Sequence, residues 1–350
     1  MKVMRNLRSS LLPSERKEII RSGPRLGAAA CVLTTAILMV LVTGAVLAGS
    51  ATWNLNPTSA DWNTAANWTP ATVPNGPADT ATFDISNTPS VSFSADTEVN
   101  SIVFNASASP FTTTANGVLT ISGVGITNDS GITQNFVTLD SSSCSCFPSW
   151  VLFSDSVMAG DLTSFTNNGA FSDFDAAGST LFFNTSTAGN GIFVNGESSG
   201  LGSPSGFTSF FNTSTAANGT FTNDGGSSEE YGGSTNFNDT STAANGTFTN
   251  NGSLVSYAFG GGETVFNGTS TAANGTFSSN GGAVSGAGGG ITIFYQDTPT
   301  AGNSTLIANG GLNGGLGGSI QFWNGSTGGT ARVEFSTMVT WTSACTTLRV

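Results

Sequence analysis

The sequence has no histidine, and no lysine after Lys17. Charged residues make up only 9% of its 350 residues, 9 Lys or Arg against 21 Asp or Glu. Each shortage excludes a chemistry. Without His there is no Ser-His-Asp or Cys-His nucleophilic relay. A lyase that abstracts a proton with Lys or Arg could draw only on Arg332 and Arg349 beyond the N-terminal region. The basic residues Lys2, Arg5, Arg8, Arg16, Lys17, Arg21 and Arg25 all precede the first long apolar run. After Ala48 two basic residues face 19 acidic ones, a net charge of −17. Such a surface attracts neither nucleic acid nor an anionic membrane. Its acidity opposes lateral association of strands. Cysteine is scarce too: Cys31, Cys144, Cys146 and Cys345. Cys144-Ser145-Cys146 has no second such pair and no His to complete a metal-ligand set. It reads as loop thiols or a local disulfide, and no metal or cofactor is expected.

What the chain has in abundance is 46 Gly, 25 Phe and a repeat. Phe183 to Phe193 (FNTSTAGNGIF) returns as Phe211–Phe221, Phe237–Phe248 and Phe266–Phe277, with worn copies from Phe294 and Phe322. The Asn of the turn pair falls at 190, 218, 245, 274 and 303. Steps of about 28 residues mark a stacked repeat in which each unit buries its face against its neighbours. Thr, Asn, Ser, Gly and Phe disfavour helix and suit strands and turns. Thr220-Phe221-Thr222 and Thr247-Phe248-Thr249 alternate with period 2. Asn-Asp-Gly at 223–225 and Asn-Asn-Gly at 250–252 close these strands with residues that tolerate positive φ. The expectation is an all-β, right-handed parallel β-helix of roughly 28-residue coils, stacked roughly 4.8 Å apart. One interior column would hold Phe193, Phe221, Phe248 and Phe277. A second would hold Phe183, Phe211, Phe237, Phe266, Phe294 and Phe322. Asn190, Asn218, Asn245 and Asn274 would form a ladder beside them. A β-propeller needs blades of about 40–50 residues, and a calcium-binding β-roll needs regularly placed Asp that the Gly-rich loops lack.

The chain divides into four parts. Residues 1–48 are a basic stretch followed by the uncharged run Leu26–Leu47. They read as a signal peptide or an N-terminal membrane anchor, the chain's one expected membrane association. Basic residues ahead of the run keep that end inside and send the remainder out. Residues 49–79 carry Trp53, Trp62 and Trp68, read as a cap on the solenoid's end rather than a sugar-stacking platform. Residues 80–335 are the solenoid, with early strands at 82–85, 91–93, 101–104, 119–122 and 135–139. Residues 336–350 break from the repeat.

TWN at 52–54, DWN at 61–63, VPNGPADTATF at 73–83, VNSIVFNA at 99–106 and the iterated FNxSTAxNGTF together resemble the bacterial autotransporter-associated β-strand repeat proteins and related passenger-type β-helix repeat proteins. The resemblance covers roughly residues 51–335 and implies a large exported or outer-membrane-linked right-handed β-helix. The divergent tail, with neither a translocator barrel nor an anchoring motif, reads as a truncation of that pattern.

Candidate chemistry is thin. A glycosidase needs two facing carboxylates roughly 5–10 Å apart. Asp173 with Asp175, and Glu229 with Glu230, are the pairs close in sequence, and both sit in Gly/Ser-rich stretches that read as solvated. The Thr-x-Thr pairs at 185/187, 213/215, 240/242, 269/271 and 298/300 would stack into a Thr ladder, a feature shared with ice-binding solenoids but equally explained by strand propensity. The many Asn-x-Ser/Thr sequons read as turn and ladder residues. The reading is a non-enzymatic, secreted or cell-surface structural and adhesin-like solenoid, with surface glycans or other cell-surface components as partners. A carbohydrate-active or carbohydrate-binding β-helix is the alternative, and ice binding a minor one.

Overall fold

Alternation along short strands sets the architecture. In Thr220-Phe221-Thr222-Asn223 the Phe and the Asn are buried while the two Thr face outward. Such a strand can bury its Phe only against copies of itself, and the chain supplies them one coil later. The computed structural model describes residues 49–336, apart from 142–148, 173–174, 199, 201, 228–230 and 257–259. The expected signal or anchor, the three later cysteines, Asp173, Glu229, Glu230 and almost all of the divergent tail lie outside the described residues.

The strands run in chain order as β1 Ala51–Trp53, β2 Trp68–Thr69, β3 Gly76–Phe83, β4 Ser90–Ser92, β5 Thr97–Phe104, β6 Thr112–Ala115, β7 Val118–Asn128 and β8 Gln134–Thr138. There follow β9 Trp150–Phe153, β10 Thr163–Asn167, β11 Ser179–Phe182, β12 Ile192–Asn195, β13 Phe207–Phe210, β14 Thr220–Asn223, β15 Ser234–Phe237 and β16 Thr247–Asn250. The last are β17 Glu263–Phe266, β18 Thr276–Ser279, β19 Ile291–Phe294, β20 Thr305–Ala308, β21 Ser319–Phe322 and β22 Arg332–Phe335. From β3 onward odd-numbered strands pair with odd and even with even, all parallel, in a 12-stranded and a 10-stranded sheet. The protein is therefore a β-solenoid of about ten coils. Register shifts interrupt the first sheet only in the early coils, at Gly76/Thr80 and Val99/Ser101. A third line of contact runs along the corner as single bridges through Thr187, Thr215, Thr242, Thr271, Thr300 and Thr327. Strand β6 had no counterpart among the early strands expected from sequence.

The even sheet contributes the column Phe136, Phe165, Phe193, Phe221, Phe248, Phe277 and Leu306, buried and in register. Its rings stack at 4.6–5.0 Å. The odd sheet's column requires a correction. It runs Phe153, Phe182, Phe210, Phe237, Phe266, Phe294 and Phe322. Phe183 and Phe211 are half-buried just past their strands and stack on each other at 4.9 Å outside the core. The cause is a doublet. Counting back from Thr-Ser-Thr, Phe182 and Phe210 occupy the place of Phe237, whereas matching on Phe-Asn selects the wrong ring. The two columns meet edge to face, as in Phe210 on Phe221 at 5.7 Å and 73°, a favoured aromatic arrangement.

A buried polar column runs beside the Phe. Asn167, Asn195, Asn223 and Asn250 each close an even strand with their side chains inside. Each Nδ2 donates to the next Oδ1 at 2.7–2.8 Å, from Asn167 through Asn250. Each Oδ1 also accepts from a Thr hydroxyl of the opposite sheet, Thr180, Thr208, Thr235 or Thr264, at 2.9 Å. The column thus ties the two sheets together. It fades through Ser279 to Ala308, and Ser279 still meets Thr292 at 3.0 Å. Asn223 and Asn250 end β14 and β16, as expected, but residues 223–225 and 250–252 take no positive φ: period 2 from Phe puts these Asn on the inner face.

At the N-terminal end β2 lies antiparallel on β1, and Trp53, Trp62 and Trp68 are all buried. Their rings lie 4.9–5.0 Å apart and continue onto Phe83 at 5.6–6.1 Å. Trp62 Nε1 donates to the Pro74 carbonyl at 2.9 Å and Trp68 Nε1 to that of Trp62 at 2.7 Å.

Two expectations follow. Phe182→Ala should cost about 3–5 kcal/mol, while Phe183→Ala, on the outside, should cost under about 1 kcal/mol. Chemical denaturation of the two variants side by side checks the register, and equal losses would overturn it. Asn223→Ala removes one acceptor of the buried Asn195 amide and the acceptor of the Thr235 hydroxyl, leaving these two groups only each other, so a loss of about 2–4 kcal/mol is expected in the same assay.

Candidate functional site

A solenoid places its variable parts on one side. From β10 to β20 each even strand ends at an interior position, the chain leaves in a loop, and it returns through a glycine just before the next odd strand. The neck of each loop is closed by one backbone bond: Gly206 to Gly196, Gly233 to Asp224, Gly262 to Asn251, Gly290 to Asn280 and Gly318 to Asn309, at 2.7–2.9 Å. The returning backbone passes so close that a Cβ on Gly233 or Gly262 would collide with the carbonyl of Asn195 or Asn223. Glycine is required there by proximity. Loops of differing length therefore share one anchorage.

Two grooves lie among these loops. The first, of about 540 Å³, is lined by Pro204, Phe207, Tyr231, Gly260, Glu263 and Ile291 among others. Tyr231 is 58% exposed, and Phe207 is half-buried on the outer side of its strand. Glu263 opens β17, two coils on from Phe207 and beside Ile291. Burial pushes its carboxyl above the ordinary range. The second groove, of about 370 Å³, holds Glu197 and Asp224 with Asn251, Leu254, Asn280 and Leu312. Burial is the main force raising Asp224, the charge of Glu197 adds to it, and a hydrogen bond from Asn251 opposes both. Glu197 is held by the amide and hydroxyl of Ser227. Among the described residues no three His, Cys, Asp or Glu side chains gather in a way that could hold a metal ion.

The residues singled out from sequence fall elsewhere. Phe193, Phe221, Phe237, Phe248, Phe266 and Phe277 are core. Trp53, Trp62 and Trp68 are buried and offer no stacking platform. Asn190, Asn218, Asn245 and Asn274 are exposed and form an outer ladder, Asn190 Nδ2 to Asp161 Oδ1 at 2.7 Å and each later amide to the one before at 3.1–3.4 Å. The corner Thr pairs are occupied within the protein. Thr185, Thr213, Thr240 and Thr269 donate their hydroxyls to carbonyls of the preceding coil at 2.8–3.1 Å. Thr187, Thr215, Thr242, Thr271 and Thr300 accept the amide two residues on at 3.0–3.2 Å. Asp175 is bonded by Ser172 and Ser141. The carboxylates in the grooves, Glu197, Asp224 and Glu263, come from different coils, and no spacing in the sequence brings them forward.

No protein-family model, curated protein or solved structure matches this sequence.

The raised carboxyls fix a sign. A group whose folded pKa exceeds its unfolded value lends stability that is present below the ordinary carboxylate range and is lost as pH rises through the folded pKa. Glu263→Gln, an uncharged near-isostere, should therefore melt higher than the parent at neutral pH, with the gap closing at pH 3–4. Melting curves across that range check it, and a gap that widens in acid would reverse the assignment.

Proposed function

We propose that this chain is a non-enzymatic, secreted or cell-surface structural and adhesin-like β-solenoid, of the autotransporter-associated β-strand repeat kind, whose loop side contacts surface glycans or other cell-surface components. The observation that carries the reading is the division of labour in the coil. The core, the cap and both ladders are consumed in holding the stack, while the loop side presents an open groove. An exposed aromatic, a half-buried one and backbone polar groups suit the apolar face and hydroxyls of a sugar. The opening sequence and the iterated repeat support the family assignment, and the basic and apolar residues of 1–48 support export.

Binding of the purified full-length protein to immobilised cell-surface polysaccharides tests this. The parent should bind without consuming the polysaccharide, and Tyr231→Ala should weaken binding by about tenfold, the equivalent of roughly 1.4 kcal/mol, with an unchanged melting temperature. Absence of binding by the folded parent would overturn the reading.

The second reading, a carbohydrate-active β-helix, draws on one observation. Asp224, which burial holds toward its neutral form, shares a groove with Glu197, and glycoside hydrolysis needs two neighbouring carboxyls of which one donates a proton. Sugar release abolished in Asp224→Asn would replace the adhesin reading by this one.

A further inference from the structure

The outer face of the ten-stranded sheet is unlike the rest of the molecule. From β4 to β20 its nine strands contain no charged residue, in a chain with net charge −17 after Ala48. Only at β22 does charge appear, as the Arg332–Glu334 pair. The outward positions of the central strands form two columns. One holds Thr220, Thr247, Thr276 and Thr305; the other holds Thr222, Thr249 and Ser278. The exposed Asn218, Asn245 and Asn274 lie two residues before the first column and extend the array sideways.

The face is regular. Successive Phe rings beneath it, from Phe165 to Phe277, stack nearly parallel, at 5–9°. The register is unbroken along the same strands. The outward groups thus form a lattice. Its short edge is the coil rise, seen in the ring spacing of 4.6–4.9 Å. Its long edge is two strand residues, roughly 6.6 Å.

The hydroxyls of this lattice are free. Those of Thr220, Thr222, Thr247, Thr249, Thr276 and Ser278 make no hydrogen bond within the described residues, whereas Thr185, Thr213, Thr240 and Thr269 at the corner donate theirs to carbonyls of the preceding coil. The Thr-x-Thr pairs conspicuous in the sequence lie along the corner; the unbonded Thr hydroxyls lie on the sheet.

An in-register, uncharged array of hydroxyls and methyls, repeating in two directions, suits a partner that is itself a crystal lattice of small hydrogen-bonding units. Sugar chains are bound largely through aromatic side chains, and these strands point none outward. The outward side chains in the centre of the face are too small to bury the apolar area that a stable protein interface requires. We propose that the outer face of the ten-stranded sheet, centred on Thr220, Thr222, Thr247, Thr249, Thr276 and Ser278, binds the surface of ice. Ordered waters along the hydroxyl columns, held at the coil spacing, join the protein to the ice lattice.

The test is ice recrystallisation and crystal shaping with the full-length protein. Thr222→Tyr and Thr249→Tyr raise a ring above the plane yet suit a strand. Thr240→Tyr makes the same change at the corner. Circular dichroism and melting curves establish that each variant is folded. The parent should facet ice and slow recrystallisation at micromolar concentration. The two sheet variants should need about tenfold more protein, and the corner variant no more than the parent. A folded parent without effect on ice overturns the proposal, as do sheet variants as active as the parent. Sedimentation adds a further outcome: a dimer that Thr222→Tyr dissociates would show the face to be covered by a second copy, and the proposal would fall. Binding to crystalline cellulose lost in the same variants would overturn it as well.

Discussion

Parallel, in-register pairing of the backbone from one coil to the next is the constraint on which the rest of this structure depends. It sets like residue above like at the strand spacing. A single Phe per strand then becomes a column of rings, and a single Asn becomes a continuous chain of amides. Neither is stable alone. A buried Asn without partners is costly to desolvate; here each is bonded to the coil above, the coil below and the opposite sheet. The polar column also helps to specify register, because a slip by one residue would turn every Phe and Asn outward.

How much of this is legible in the sequence depends on the range of the signal. The period, the all-β character and the column Phe193 to Phe277 follow from repetition and period 2, both local. The placement of Phe182 and Phe210 required aligning coils on Thr-Ser-Thr rather than on the conspicuous Phe-Asn pair. The Asn column was obscured by the turn preference of Asn followed by Gly, which is real but yields to burial when the preceding Phe fixes the face. The early coils resist reading because β3, β5 and β7 are longer than the later strands and shift register. The grooves are the least legible part. They join residues from neighbouring coils whose loops differ in length, and neither the approach of Glu197 to Asp224 nor the half-burial of Glu263 has a sequence spacing attached to it.

The same arithmetic explains where variation is permitted. Most of the variation in step is absorbed between the end of an even strand and the glycine just before the next odd one. From β11 on, strand and column keep their length, and the corner changes once, by the one residue added between Phe294 and Thr300. Chemistry that differs from coil to coil, including the carboxylates and Tyr231, is accordingly concentrated on that side.

The unbroken register of the later coils has a consequence for the loop-bearing side. Where each coil is set in register on the one before, the loops stand in a file at a pitch equal to the coil rise. Partners with a regular repeat can then engage several loops at once, each weakly. The summed avidity of such an array can exceed any single contact by about 10²–10⁴-fold without a deep pocket anywhere in the protein. It also fails gradually, since an altered coil removes one contact from the file and leaves the others in line.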